Sequence, residues 1–469
     1  MFAGLTLAYW LTLHGLVTLL AVMAYVVTAH VLQQRRHPTA AIAWVLFILL
    51  MPYVALPTFL TFGSRKQARP RGQPLRLTPP APSDPEDERA WAIQTALAMG
   101  QAAPAAFTDL HLHADGRAAL NALWAVIDGA QHSIDLCTFI IGRDAVGHEL
   151  IERLCAKARA GVRVRLMLDG LGRLMAGSPS LRPLTDAGGV VTRFVPPLHS
   201  PLKGRTNLRD HRKILVADAA HEARRLWSGG RNIACEYFEG GPGTPAWRDL
   251  SFDLRGAVVQ QAVALFEHDW AFANGRRFAA AHDDTPIAIE PGHGAQLIAS
   301  GPDQFDDTLH ALLVTAAYRA RSRLAIVTPY FVPDTALLMA LCMAARRGVV
   351  VDLLLPARSN HRMSDLARRR ALRALAAAGG RIWLAPQMLH AKLVVVDDVL
   401  TLAGSANLDS RSLFLNYELM MAFHEPAVVN RFGEWLDAEL ASAQRTLPKT
   451  PGLLGDMADG LVLWLGFQL

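Results

Sequence analysis

A chain of 469 residues exceeds one ordinary domain and has room for two with appendages. Its apolar content of 51% is high for a water-soluble enzyme, and its net charge of +6 suits an anionic partner, whether nucleic acid or acidic lipid. The four cysteines are scattered without a C-x-x-C pair, which excludes a zinc-ribbon spacing and a compact disulfide framework.

The apolar excess is concentrated at the N-terminus. Leu5 to Leu32 carries no Asp, Glu, Lys or Arg, and neither does Thr39 to Gly63. A membrane-spanning helix needs about 20 such residues, so residues 1–63 predict two transmembrane helices, at about 5–32 and 39–63. Pro52 and Pro57 predict that the second is kinked or partly interfacial. No positive charge precedes the first run, which argues against a signal peptide. The basic cluster Arg65, Lys66, Arg69, Arg71 and Arg76 outnumbers Arg35 and Arg36 between the runs, so the remainder is expected in the cytoplasm.

Residues 64–104 open with a proline-rich stretch of mixed charge and read as a linker. Beyond it the chain repeats itself. "AQHSIDLCTFII" at 130–141 parallels "ARSRLAIVTPYF" at 320–331, and "GVRVRLMLDG" at 161–170 parallels "GVVVDLLLPA" at 348–357. "DAGGVVTRFVPP" at 186–197 then parallels "AAGGRIWLAPQ" at 377–387. Matches in one order at similar offsets predict a duplicated domain, at 105–285 and 286–445, with a tail at 446–469. Apolar β-rich runs alternate with amphipathic helices such as Val146 to Arg159 and Thr335 to Arg347. The fold class is therefore α/β: two tandem sandwich domains, each a largely buried sheet with helices on both faces.

Each half closes on the same phrase: "HRKILVAD" at 211–218 followed by "GGRN" at 229–232, and "HAKLVVVD" at 390–397 followed by "GSAN" at 404–407. Residues two apart on a strand share a face, so His211 points with Lys213 and His390 with Lys392. Two such sets facing each other form one active site at the domain interface. One imidazole attacks phosphorus while the other protonates the departing alcohol and deprotonates the incoming one. The lysines, with Asn232, Asn407 and Ser405, would hold the phosphate oxygens, so the chemistry calls for no metal and no cofactor. His211 is taken as the nucleophile and His390 as the general acid and base. Asp249 in "WRDLSFDL" and Glu418 in "NYELMMAF" are the candidates for orienting the imidazoles. Asp218 and Asp397 complete the candidate catalytic set by motif; with Asp249 and Glu418 as the orienting acids they become strand-end residues that fix the turn, with a lysine as the candidate partner. Elsewhere, "HLH" at 111–113 lacks ligand-spaced partners and reads as a strand edge. Arg368, Arg369 and Arg370 read as a solvated helix face or a lipid-headgroup grip.

The two phrases resemble the HxKx4Dx6GSxN signature of the phospholipase D superfamily. The second copy fits without a gap, whereas the first carries extra residues around "AAHEARR" and has Gly230 where the second has Ser405. With "RRHPTAAIAWVLFILLMP", "TPYFVPD", "NIACEYF" and "NLDSRSLFLNYE", residues 30–445 are similar to the bacterial cardiolipin synthases. That resemblance implies transphosphatidylation between two phosphatidylglycerol molecules at the bacterial inner membrane. The products would be cardiolipin and glycerol, by way of a phosphatidyl-histidine. A phospholipase D-type hydrolase, or a synthase using another lipid such as phosphatidylethanolamine, would use the same residues. A nucleic-acid partner is disfavoured because no concentrated basic stripe with stacking aromatics is present.

Overall fold

The β-branched run "ILVA" forms a fully buried strand, Ile214–Ala217, and "LVVV" forms its counterpart, Leu393–Val396. The computed structural model describes residues 2–31, 38–62, 90–195, 208–276, 294–304, 307–452, 455 and 459–460. The chain divides into two compact units, residues 1–75 with 195–208, and residues 76–194 with 209–469.

In the smaller unit, helices run over Phe2–Val31, Pro38–Leu50 and Pro52–Phe62. Pro52 has no amide hydrogen to continue a helix and opens a new one instead. The second apolar run is thereby split into helices of 13 and 11 residues, about 20 and 17 Å long at 1.5 Å per residue. Among the described residues no helix is long and apolar enough to cross a membrane, so the expected pair of transmembrane helices finds no support. A small core of Ala21, Tyr25, Ile48, Ala55 and Phe59 joins the three helices. Phe59 meets Tyr25 at 5.0 Å and Trp44 edge-on at 5.2 Å, ring centre to ring centre.

The larger unit carries the duplication. Its first sheet orders seven strands as Thr108–His113, Ser251–Arg255, Arg225–Gly229, Ile214–Ala217, Ser133–Thr138, Arg163–Leu168 and Val190–Arg193. The second repeats that order with Ala295–Ser300, Asn416–Phe423, Leu400–Gly404, Leu393–Val396, Arg323–Val327, Val350–Pro356 and Arg381–Ala385. In both, three strands run parallel and the strand after the histidine pairs antiparallel to the first of them. Helices pack on both faces of the first sheet: Gly116–Gly129 and Ala145–Arg159 on one, Val259–Ala273 on the other. In the second half, Thr308–Arg319, Thr335–Arg346, Arg362–Ala377 and Pro426–Ser442 do the same work. The extra residues of the first motif form the longer of two equivalent hairpins, where Ala217 pairs with Arg225 but Val396 with Leu400. The expected boundary between the halves at 285 and 286 lies outside the described residues, as do most of the linker and the tail.

One segment leaves its own half. Arg209–Asp210 joins the second sheet, with Arg209 opposite Asn416 and Asp210 opposite Tyr417 in parallel register. Reciprocally, Arg248 of the first half bridges in parallel to Leu389 of the second. These two exchanges place each histidine beside the other half's carboxylate.

Candidate active site

His211 follows the first exchanged segment, and its backbone amide donates to Tyr417 O at 2.9 Å. The next residue along that partner strand is Glu418, whose Oε1 lies 3.3 Å from His211 Nδ1. The mirror arrangement holds His390: its amide donates to Arg248 O at 2.6 Å, and its Nδ1 lies 2.8 Å from Asp249 Oδ2. Asp249 and Glu418 thus reach the imidazoles as the sequence suggested, but crosswise, each serving the histidine of the other half. A strand spacing of two residues inside one motif cannot reveal that exchange.

Both carboxylates are fully buried and held below their ordinary pKa. Burial alone would raise them, and it is outweighed by the facing histidine and lysines. An ionised Asp249 only accepts, so the proton sits on His390 Nδ1 and Nε2 keeps its lone pair. Both imidazoles are held neutral. Burial, then the neighbouring lysine, lowers His211 to about 4 and His390 to about 3, against the opposing pull of the carboxylates. Lys392 Nζ stands 3.0 Å from His390 Nε2 and is itself lowered to about 7, first by burial. Lys213 is lowered too, again first by burial, and its Nζ donates to His211 O at 2.6 Å. Two neutral imidazoles, two lysines and two ionised carboxylates thus share one buried centre.

The asparagines are buried in matching positions. Asn232 Nδ2 donates to Tyr237 Oη at 2.8 Å and Asn407 Nδ2 to Ser412 Oγ at 3.2 Å, while each Oδ1 is buried without a hydrogen-bond partner among the described residues. Turning each amide over lets its oxygen accept from Tyr237 Oη or Ser412 Oγ and frees Nδ2 to donate to a phosphate oxygen.

Three assignments need correction. Ser405 Oγ donates to Glu418 Oε2 at 2.6 Å, so its hydroxyl steadies the carboxylate rather than facing a phosphate. At the equivalent Gly230 a Cβ would stand 2.3 Å from Asp249 Oδ1, and only glycine lets that shorter acid approach. Asp218 and Asp397 sit at the far ends of their strands in left-handed conformation, φ 52° and 48°. Asp218 accepts the amides of Gln131, His132 and Ser133; Asp397 accepts those of Arg321, Ser322 and Arg323. They fix the turn through backbone amides, not through a lysine, and nothing brings them to the imidazoles.

Other readings resolve as follows. His113 Nε2 pairs with Asp253 at 2.6 Å at the sheet edge, and buried Arg368 donates to Pro356 O and Ala357 O at 3.0 Å, which removes it from any headgroup grip. Sequence reasoning missed the aromatic walls. Phe139 meets the His211 ring at 4.6 Å, whereas Tyr237 and Trp247 stand 5.1 and 5.7 Å from His390. Among the described residues, His268, Asp269 and Asp303 form one group with donor atoms close enough for a cation. The fully buried Arg212 guanidinium already pairs with Asp269 there, on the face opposite His211.

Residues 123–270 and 313–440 match the family described as cardiolipin synthase, PLD-like domain. A cardiolipin synthase A from Citrobacter koseri is 32% identical over 89% of this chain and 88% of its own length. One from Escherichia coli O1:K1 / APEC is 32% identical over 92% of each chain. In fold, the chain is similar to phosphatidylserine synthase from Haemophilus influenzae, with a TM-score of 0.60 and 13% identity over 80% of this chain and 99% of that one.

Proposed function

The chain belongs to the cardiolipin synthase family of phospholipase D-like proteins, and from that premise we propose that it is a phosphatidyltransferase joining two phosphatidylglycerol molecules into cardiolipin with release of glycerol. The observation that carries this reading is the crossed pairing of each buried imidazole with the other half's carboxylate, with a lysine beside each histidine.

In the proposed sequence His211 Nε2 attacks the donor phosphorus and the P–O bond to the glycerol headgroup breaks. His390 Nε2 delivers the proton that the departing glycerol oxygen needs. A hydroxyl of the second phosphatidylglycerol then loses its proton to His390 and attacks phosphorus from the side glycerol left, breaking the P–N bond and restoring neutral His211. One phosphodiester replaces another, so no nucleotide is consumed. Lys213, Lys392, Asn232 and Asn407 offset the charge on the non-bridging oxygens. Access supports this polarity, since the His211 side chain is 14% exposed and the His390 side chain 4%.

A phosphate beside neutral His390 raises the imidazole pKa, and the proton then gained at Nε2 is the one delivered to glycerol. The first unit serves as the membrane attachment, with Tyr9, Trp10, Leu16, Leu19, Leu46, Leu50 and Tyr53 roughly half or more exposed. We place it at the bacterial inner membrane, with the catalytic unit on the cytoplasmic side favoured by the basic cluster from Arg65 to Arg76.

The test is purified enzyme in phosphatidylglycerol vesicles, with lipids and glycerol followed by mass spectrometry beside His211→Asn and His390→Asn. Equal cardiolipin and glycerol, lost in both variants, is expected. Phosphatidic acid without cardiolipin would make the chain a hydrolase, and product only when phosphatidylethanolamine is added would change the lipid partner.

A further inference from the structure

The duplication provides an internal control, because each half sets the same phrase around its histidine. The halves differ between the motif glycine and the asparagine. The second reads Gly404, Ser405, Ala406, Asn407, and the first Gly229, Gly230, Arg231, Asn232. That difference bears on the two orienting acids. Glu418 receives the Ser405 hydroxyl at 2.6 Å and the Asn416 amide at 3.3 Å. Asp249 is barer: among the described residues its carboxylate is hydrogen-bonded to His390 at 2.8 Å and to the Leu250 amide at 2.7 Å, with no hydroxyl or side-chain amide.

What the first half has instead is Arg231, where the second has Ala406. Its guanidinium is fully buried, and all three nitrogens are engaged. Nε donates to Tyr237 O at 3.1 Å, and Nη1 to His113 O at 2.9 Å and Ser251 Oγ at 3.1 Å. Nη2 donates to Ala114 O at 2.8 Å and to Asp249 O at 2.6 Å. A buried guanidinium is ordinarily met by a carboxylate, as Arg212 is by Asp269. No carboxylate pairs with Arg231 among the described residues, and carbonyl oxygens hold it instead. Packing alone does not require a cation there, since alanine serves at the equivalent position.

We propose that Arg231 is a positioning residue for the general acid and base, holding His390 in its working tautomer and orientation by fixing the backbone of both Asp249 and Tyr237. The inference rests on the role given to His390 above. Two of the five contacts fall on the groups that frame that imidazole. Asp249 O belongs to the residue whose carboxylate meets His390 Nδ1, and Tyr237 O to the residue whose ring stands 5.1 Å from the imidazole. Tyr237 Oη also lies 2.8 Å from Asn232 Nδ2, so the same guanidinium steadies a partner of the phosphate-binding amide. The planar fork suits this task, because it meets several carbonyls in fixed directions where an ammonium would not. Its charge acts in the same sense, being among the groups that keep Asp249 ionised against burial. A carboxylate that slid or took up a proton would release the His390 Nδ1 proton, and Nε2 would no longer be the nitrogen that trades protons with the alcohols.

The experiment separates steps that need His390 from the one that does not. Phosphatidyl-p-nitrophenol loses its phenolate as an anion with the bonding electron pair, so attack by His211 Nε2 requires no proton from His390. Rapid mixing of purified enzyme with this substrate in phosphatidylglycerol micelles gives a burst of nitrophenolate. Its amplitude counts competent sites, whatever fraction of a variant has folded. The slow phase that follows is transfer to the phosphatidylglycerol hydroxyl, whose proton goes to His390. In Arg231→Met the burst rate should stay within about threefold. The slow phase per site, and turnover of phosphatidylglycerol alone, should fall about tenfold to a hundredfold, part of the roughly 10²–10⁴ that a general acid supplies. Arg231→Lys, which keeps the charge with fewer donors, should recover part of that loss. Burst and slow phase falling together would make Arg231 a merely structural residue, and an unchanged slow phase would also overturn the proposal. A phosphatidyl group trapped on His390 in the unaltered enzyme would instead sink the assignment of roles, and the inference with it.

Discussion

Asp218 sits inside the motif yet away from the imidazoles, so its replacement should damage stability rather than chemistry. Its carboxylate accepts three backbone amides: Gln131 at 3.0 and 3.1 Å, His132 at 2.6 Å and Ser133 at 3.1 Å. Asp218→Ala removes all three at roughly 1–1.5 kcal/mol each. It also leaves an alanine at φ 52°, which costs about 1 kcal/mol more. The total of about 4–5 kcal/mol corresponds to a fall in Tm on the order of 10 °C for a domain of this size. Asp218→Asn keeps one acceptor oxygen and tolerates the left-handed backbone, so it should lose only about 1–2 kcal/mol. The pH dependence has a definite sign. Burial would raise the Asp218 pKa, but the amides win and hold it below 3.8. Its contribution is complete above the unfolded value and is lost as pH falls through the folded one, so wild type and Asp218→Asn should converge in stability below pH 3.8. Thermal melts in detergent read the stability, and cardiolipin synthesis per folded molecule reads the chemistry, which should stay within about threefold. A loss of about a thousandfold in turnover with an unchanged melt would refute the reasoning and return Asp218 to the reacting set.

Asp249→Asn should lower turnover by about 10²–10⁴, because an amide can hold His390 in the wrong tautomer; an effect confined to KM would contradict an orienting role. Binding of a phosphate mimic such as tungstate at pH 6 to 7 should take up protons, since His390 at about 3, His211 at about 4 and Lys392 at about 7 all rise beside an anion. Calorimetry in buffers of different ionisation enthalpy measures that uptake, and proton release would contradict it. Arg212→Met leaves Asp269 buried without its guanidinium and should cost about 3–5 kcal/mol, with much of the loss recovered in Arg212→Met/Asp269→Leu. No recovery in the melts would mean that the Arg212 bonds to Glu418 O and Ser300 O dominate.

The parts of this site written in short-range spacing were legible. The alternation of His211, Arg212 and Lys213 separates front from back, and the structure sends Arg212 to Asp269 behind the site as that alternation requires. The duplication was legible because each half must make the same buried strands, and the strand orders repeat accordingly. What the sequence could not carry was pairing across the halves. Glu418 reaches His211 only because Arg209–Asp210 leaves its own sheet, and nothing local announces that departure. Asp218 and Asp397 entered the catalytic set only through the motif they share with the histidines; the turn-fixing reading of the strand end is the one the structure shows, with amides of another strand as partners. Pro52 marked a kink in the uncharged run, and the structure makes it a full break between two helices.

The central claim is tested most directly by trapping the covalent intermediate. Enzyme mixed with phosphatidylglycerol vesicles would be quenched at alkaline pH within one turnover, digested, and mapped by mass spectrometry. A phosphatidyl group on His211, formed as glycerol is released and consumed as cardiolipin appears, is the predicted result. A phosphatidyl group on His390 would reverse the assigned roles. Cardiolipin formed at full rate with neither histidine ever modified would contradict the account.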